Sequence, residues 1–216
     1  MKKFAIILSG CGVFDGAEIH ESVLTMLAIS QQGSSFDLFA PNVAQAHVVN
    51  HLKGEIDESQ NRKVLEEAAR IARGNIKALS ELNIDDYDIL ALPGGFGVAK
   101  NLSTFAFDGI HCEVNKEVQS VIQEAHSKSK PIIALCIAPS IVAASLGKGD
   151  LTIGNDKGTA EALESFGAKH IESKVDEIVI DNENKLVSSP CYMLSPTLAE
   201  LADSISKAVE AAIELA

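Results

Sequence analysis

Short, nearly uninterrupted apolar runs that end on glycine or proline, alternating with helix-spaced patterns, constrain this chain more than any other feature. The first run, Lys3 to Leu8, gives way to the turn SGCGVFDG, and the helical spacing of Ile19, Val23, Leu24, Leu27 and Ala28 follows. Phe36 to Ala40 stops at Pro41, Tyr87 to Leu92 stops at Pro93-Gly94-Gly95, and Pro131 to Leu135 leads into a cysteine. Runs of this length are strands, and strands apolar along most of their length are covered on both faces. The covering layers come from the helical patterns Val114 to Ala125, Ala138 to Leu146, Thr159 to Phe166 closed by Gly167, and Leu198 to Leu215. Leu151 to Ile153 reads as a further short strand, and a polar stretch from about Val43 to Arg73 reads as mostly helical and solvated. Glu177 to Ile180 and Lys185 to Ser188 flank Asp181-Asn182-Glu183-Asn184 as a hairpin with a polar tip. The expected fold is α/β, a flavodoxin-like three-layer sandwich. Its sheet is mostly parallel with helices on both faces and a C-terminal β-hairpin addition. No repeat or linker divides the chain, so residues 1–216 are expected to form a single domain.

Composition narrows the function classes. The chain has 216 residues, 46% apolar and 22% charged, enough to bury one full core. Its net charge of −12, with no Lys/Arg cluster, opposes any phosphate backbone, so nucleic acid is not an expected partner. The opening MKKFAIILSGCG has the charge of a signal peptide but too short an apolar run. No run approaches the roughly 18 to 20 residues needed to cross a bilayer, so no membrane partner is expected. The cysteines Cys11, Cys112, Cys136 and Cys191 form no CxxC, which argues against a disulfide scaffold or a zinc knuckle and for reduced thiols in the cytoplasm. His47 and His51 lie in the polar stretch without acidic or thiol partners and read as solvated, so no metal is expected. Neither GxGxxG nor GxxxxGK[ST] occurs, which removes the usual support for dinucleotide or NTP binding.

Ligands of such sheets bind beyond the carboxyl ends of the strands, where the strand order reverses. Three segments share that address: SGCGVFDGAE, LPGGFG and ALCIAPS. In the last, Cys136 stands between Ala134 and Ala138, the small-x-nucleophile-x-small spacing of a strand-to-helix elbow. Ahead of a helix, its thiol is expected to have a lowered pKa. The other reading is a small buried hydrophobe at a tight corner. The unobstructed amides of Gly95 and Ile137 are placed to hold a developing oxyanion, with Gly94 beside them. Glu18, at the start of the first helix, either exchanges a proton with the sulfur or serves the helix dipole. Cys11 and His111 are further candidates for the pocket wall, Cys11 also as a resolving thiol.

These segments resemble the ThiJ/PfpI superfamily of class I glutamine-amidotransferase-like proteins. The closer likeness is to the enhancing lycopene biosynthesis (ElbB, glyoxalase ElbB-like) family. It is carried by SGCGVFDGAEIHE, LPGGFGVAKNLS, CIAPS, TIGNDKGTAEALESFGAKH and IVIDNENKLVSSPCYML, from the first strand to the last helix. The resemblance implies Cys136 as nucleophile, Glu18 as acid/base, Gly95 with Ile137 as oxyanion site, and a homodimer. Many superfamily members have histidine directly after the nucleophile, where this chain has Ile137, and no downstream His/Glu pair completes an amidotransferase triad. The implied activity is cofactor-independent, low-turnover conversion of glyoxal or methylglyoxal, the small aldehyde partner, to the hydroxy acid through a Cys136 hemithioacetal. The alternative is a non-catalytic, stress-responsive or isoprenoid-pathway protein with an oxidisable Cys136.

Overall fold

The computed structural model describes all 216 residues. In chain order the elements are β1 (Lys3–Ile7), α1 (Ile19–Gln31), β2 (Ser35–Ala40), β3 (Val49–Asn50), β4 (Glu55–Ile56), α2 (Val64–Ile71), β5 (Lys77–Ala78) and β6 (Ile89–Leu92). Then come α3 (Phe96–Lys100), α4 (Phe105–Asp108), α5 (Lys116–Ser127), β7 (Ile132–Leu135), α6 (Pro139–Leu146), β8 (Asp150–Leu151) and α7 (Lys157–Ser165). β9 (Lys169–His170), β10 (Val179–Asp181), β11 (Leu186–Ser189) and α8 (Leu198–Leu215) complete the chain. The main sheet has seven strands in the order β10-β11-β7-β6-β1-β2-β5. Every neighbouring pair is parallel except β10 with β11, the hairpin at one edge. This is the mostly parallel, helix-covered α/β architecture that the alternating pattern predicts.

The apolar strands divide their side chains between two cores. Ala5 and Ile7 of β1 join one core with Leu90, Leu92, Val118 of α5 and Ile141 of α6. Phe4, Ile6 and Leu8 join the other with Ala28 of α1, Ala68 of α2 and Ile205 of α8. Removing most of one such side chain, as in Ile6→Ala, costs about 2 to 5 kcal/mol of stability. Strand β1 leads to β2 on one side, while β6 and β7 lie on the other, so the order reverses beside β1 and a crevice opens at the carboxyl ends there.

One expectation needs correction. Between Val43 and Arg73 only Val64–Ile71 is helical; the preceding residues form a loop with the two-residue pair β3 and β4. Asn50 and Asp57 explain this, because their side chains accept hydrogen bonds from Leu52, Lys53 and Ser59 amides and stabilise turns over helix. His47 and His51 are therefore loop residues. Helix α1 forms where expected: Ala28 is buried and Leu24 packs against the core, while Ile19, Val23 and Leu27 face solvent and the polar Glu21, Ser22 and Thr25 are buried. Ser22 and Thr25 hydrogen-bond the preceding turn of the chain, and Glu21 enters the site.

Candidate active site

The elbow is backbone geometry first. Strand β7 ends at Leu135, and Cys136 takes φ +59°, a left-handed conformation that non-glycine residues seldom adopt. Its N–H donates to the Ser189 carbonyl at 3.0 Å, so the neighbouring strand β11 holds the turn. Gly94 makes room on the other side: a Cβ there would lie 2.3 Å from the Cys136 Cβ and 3.0 Å from its Sγ. Gly95 has φ +97°, and a Cβ on it would meet the Glu18 nitrogen at 2.4 Å. The two glycines after β6 thus let the first-strand loop, the glycine loop and the elbow meet, as expected from their shared address. The Gly95 and Ile137 amides are the backbone groups that oppose the rise in the Cys136 thiol pKa, and both residues border the same cavity as Cys136.

The carboxyl group beside the sulfur belongs to Glu21, not Glu18. Glu18 is the N-cap of α1: its Oε2 accepts the Glu21 N–H at 2.7 Å, and its own N–H donates to the Gly94 carbonyl at 2.9 Å. One turn later, Glu21 lies fully buried beside the Cys136 thiol: a Cβ on Gly94 would meet Glu21 Oε2 at 2.7 Å and Cys136 Sγ at 3.0 Å. Its Oε2 accepts the Gly94 N–H at 2.8 Å and its Oε1 the Tyr192 N–H at 3.3 Å. Burial, then the nearby Glu18 charge, pushes the Glu21 carboxyl up to about 7. Two glutamates one helical turn apart in EIHE are visible in the sequence. Which of them caps and which turns inward depends on where the helix begins.

The thiol expectation also reverses. Burial, and then the Glu21 charge, raise the Cys136 thiol well above its ordinary range, and the Gly95 and Ile137 amides only partly oppose them. The cysteine precedes α6 by three residues, too far for the helix end to outweigh the loss of water.

Other candidates lie elsewhere. Cys11 faces Glu67, Arg70 and Asp15 on the α2 side and does not line the cavity. The thiol beside Cys136 is Cys191, which is buried, has φ +43° and contacts the Ser189 hydroxyl at 3.4 Å. His111 is exposed in the turn after α4 and also stands outside the cavity wall. His170 approaches the Ile153 amide instead. His20 meets the Tyr192 hydroxyl at 2.9 Å. No three His, Cys, Asp or Glu side chains converge as a metal site.

Above the sulfur lies a cavity of about 380 Å³, floored by Cys136 and Gly95 and walled largely by apolar side chains. Tyr192 and Met193, after β11, supply one wall, which sequence reasoning did not assign although CYML was a recognisable stretch. The assembled site can add sulfur to an electrophilic carbon, hold an oxyanion with two amides, and store a proton on Glu21.

Comparison with known proteins shows the family and the fold. The chain is 45% identical over 223 residues to the rat (Rattus norvegicus) "ES1 protein homolog, mitochondrial", covering 99% of this chain and 84% of that protein. The crystal structure of an isoprenoid biosynthesis protein with amidotransferase-like domain from Ehrlichia chaffeensis superposes with a TM-score of 0.93 and 34% identity, covering 100% of this chain and 99% of that one. Glyoxalase III from Candida albicans shares the fold, with a TM-score of 0.65 at 18% identity over 99% and 97% of the two chains. The expected cytoplasmic location is not matched by the rat protein's name, which places that protein in mitochondria. No helix here is long and apolar enough to cross a membrane. Since the DJ-1/PfpI family model matches residues 11–200, an interval that includes the elbow, the glycine loop and the inward glutamate, the chain belongs to the DJ-1/PfpI family.

Proposed function

We propose that this protein is a cofactor-independent, glyoxalase-type enzyme of the ElbB kind, acting on 2-oxoaldehydes through Cys136. The observation that carries the reading is the convergence on one sulfur of a buried carboxyl and two backbone amides beneath an open cavity. The 34% identical Ehrlichia chaffeensis protein supports the ElbB assignment, and the fold of Candida albicans glyoxalase III accommodates such chemistry.

In the proposed sequence, Glu21 takes the thiol proton as sulfur adds to the aldehyde carbon, and the Gly95 and Ile137 amides stabilise the oxyanion. Protonation of that oxygen gives the hemithioacetal. Glu21 then moves the proton from the former aldehyde carbon to its neighbour through an enediol, giving a 2-hydroxy thioester. Water cleaves the thioester, releasing the hydroxy acid and restoring the thiol. With no histidine in the cavity wall, turnover is expected to be low, since a positioned base contributes about 10²- to 10⁴-fold. The test compares wild type, Cys136→Ser and Glu21→Gln by lactate formed from methylglyoxal. Product formation undiminished in Cys136→Ser contradicts the proposal.

A second reading is favoured by Cys191 beside Cys136. Peroxide would oxidise the Cys136 thiol to a sulfenic acid with release of water, and attack by the Cys191 sulfur would expel a second water and leave a disulfide. Loss of two hydrogens in the intact mass after peroxide, without turnover on any aldehyde, selects this redox role. Sulfinate at Cys136 without the disulfide denies Cys191 its part.

A further inference from the structure

We propose that the Cys136 cavity selects uncharged carbonyl substrates bearing a bulky apolar group, aryl or branched alkyl, over glyoxal, methylglyoxal and any anionic aldehyde. This rests on the proposed addition of the Cys136 thiol to an aldehyde and names the substrate class of that site.

Size is the first argument. At no more than about 30 Å³ for each heavy atom, the liquid share of one water, the five heavy atoms of methylglyoxal fill at most about 150 Å³. The cavity offers about 380 Å³, so more than half would stay empty or hold water against an apolar wall. The ten heavy atoms of phenylglyoxal fill at most about 300 Å³ on the same measure, twice as much of the cavity.

Chemistry is the second. Val13, Phe96, Phe105, Ile137, Tyr192 and Met193 bring aliphatic, aromatic and thioether surface from separate segments of the chain, suited to an apolar ring. The polar wall residues away from the sulfur are Asp156 and Thr159, and Asp156 is engaged as the N-cap of α7, its Oδ1 accepting the Thr159 amide at 2.8 Å. No Lys, Arg or His lines the cavity. A substrate carboxylate or phosphate would lose water there and meet no cation, with Asp156 and a net charge of −12 opposing it. The same lack of a carboxylate partner disfavours glutamine.

The test has two arms on the full-length protein. In the first, kcat/KM is measured for phenylglyoxal and methylglyoxal by mandelate and lactate formed, since lysine and arginine adducts also consume aldehyde. A single methylene in an apolar pocket is worth about tenfold or more, so the phenylglyoxal value should exceed the methylglyoxal value at least tenfold. Ala106→Trp, at an exposed position of α4 on the cavity wall, should lower that ratio at least fivefold by filling the cavity. The second arm needs no turnover: alkylation rates of Cys136 by phenacyl bromide and bromoacetone, each divided by its rate with N-acetylcysteine. A tenfold aryl preference is expected. Turnover with no aryl preference in either arm overturns the substrate class and leaves the glyoxalase reading standing. Aryl preference in alkylation with no hydroxy acid from either aldehyde supports the cavity's selectivity while removing the reaction.

Discussion

Glu21 makes the account's chemistry visible in stability. Its carboxyl is held at about 7 against an ordinary 4.5, because burial and the Glu18 charge disfavour its ionised form. Between those values the unfolded chain has lost this proton and the folded chain keeps it, so stability falls as pH rises and the deficit is constant above about 7. The full difference amounts to about 3 kcal/mol, of which about 2.5 kcal/mol develops between pH 5 and pH 8. Glu21→Gln cannot ionise and should abolish that dependence. It also replaces one carboxyl oxygen facing the Gly94 or Tyr192 amide with a nitrogen, at a pH-independent loss of about 1 to 3 kcal/mol. The variant is thus expected to be less stable than wild type at pH 5 and to draw level or overtake it at pH 8. Urea unfolding of both proteins under reducing conditions, extrapolated to water at each pH, measures this. A wild-type-minus-variant difference that is unchanged between the two pH values refutes the buried, proton-holding role of Glu21.

Three further outcomes follow from the same geometry. Hydroxy acid formation should rise with pH through an apparent pKa near 7, as the Cys136–Glu21 pair loses its first proton, and level off above it. In Glu21→Gln, a pH profile of residual activity should lose that midpoint. Gly94→Ala, whose Cβ would sit 2.3 Å from the Cys136 Cβ, should lower stability by about 1 to 3 kcal/mol in chemical unfolding and reduce kcat at least tenfold. The homodimer expected from the family resemblance stands as a proposal, with the exposed Ile19, Val23 and Leu27 stripe of α1 as its surface; Val23→Asp should shift sedimentation toward a single copy.

Much of the fold is legible because its strands announce themselves. Phe4 to Leu8, Ile89 to Leu92 and Ile132 to Leu135 are apolar, short and sharply ended, and each forms a buried strand of the main sheet. The elbow and the glycine loop are legible for the same reason, since they stand at strand ends that must converge. What escapes the sequence is orientation. The apolar spacing Ile19, Val23 and Leu27 suggests the buried face of α1, yet tertiary packing turns Glu21, Ser22 and Thr25 inward. The choice between Glu18 and Glu21 then depends on Glu18 capping the helix, a position that a one-residue change in helix start would alter. The thiol environment escapes as well, because a dry cavity and a buried neighbouring carboxyl outweigh the helix end in a way only three-dimensional burial decides. Cys191 and Tyr192 are distant in sequence from the elbow and reach it through the parallel pairing of β7 with β11.

The most direct measurement of the central claim is a crystal structure of the wild-type protein briefly soaked with methylglyoxal and flash-cooled, in which the low turnover expected should hold the adduct. The expected density runs unbroken from Cys136 Sγ into the aldehyde carbon, with the new oxygen about 3 Å from the Gly95 and Ile137 nitrogens. A bare sulfur, with aldehyde found only on surface lysine or arginine side chains, would contradict the account.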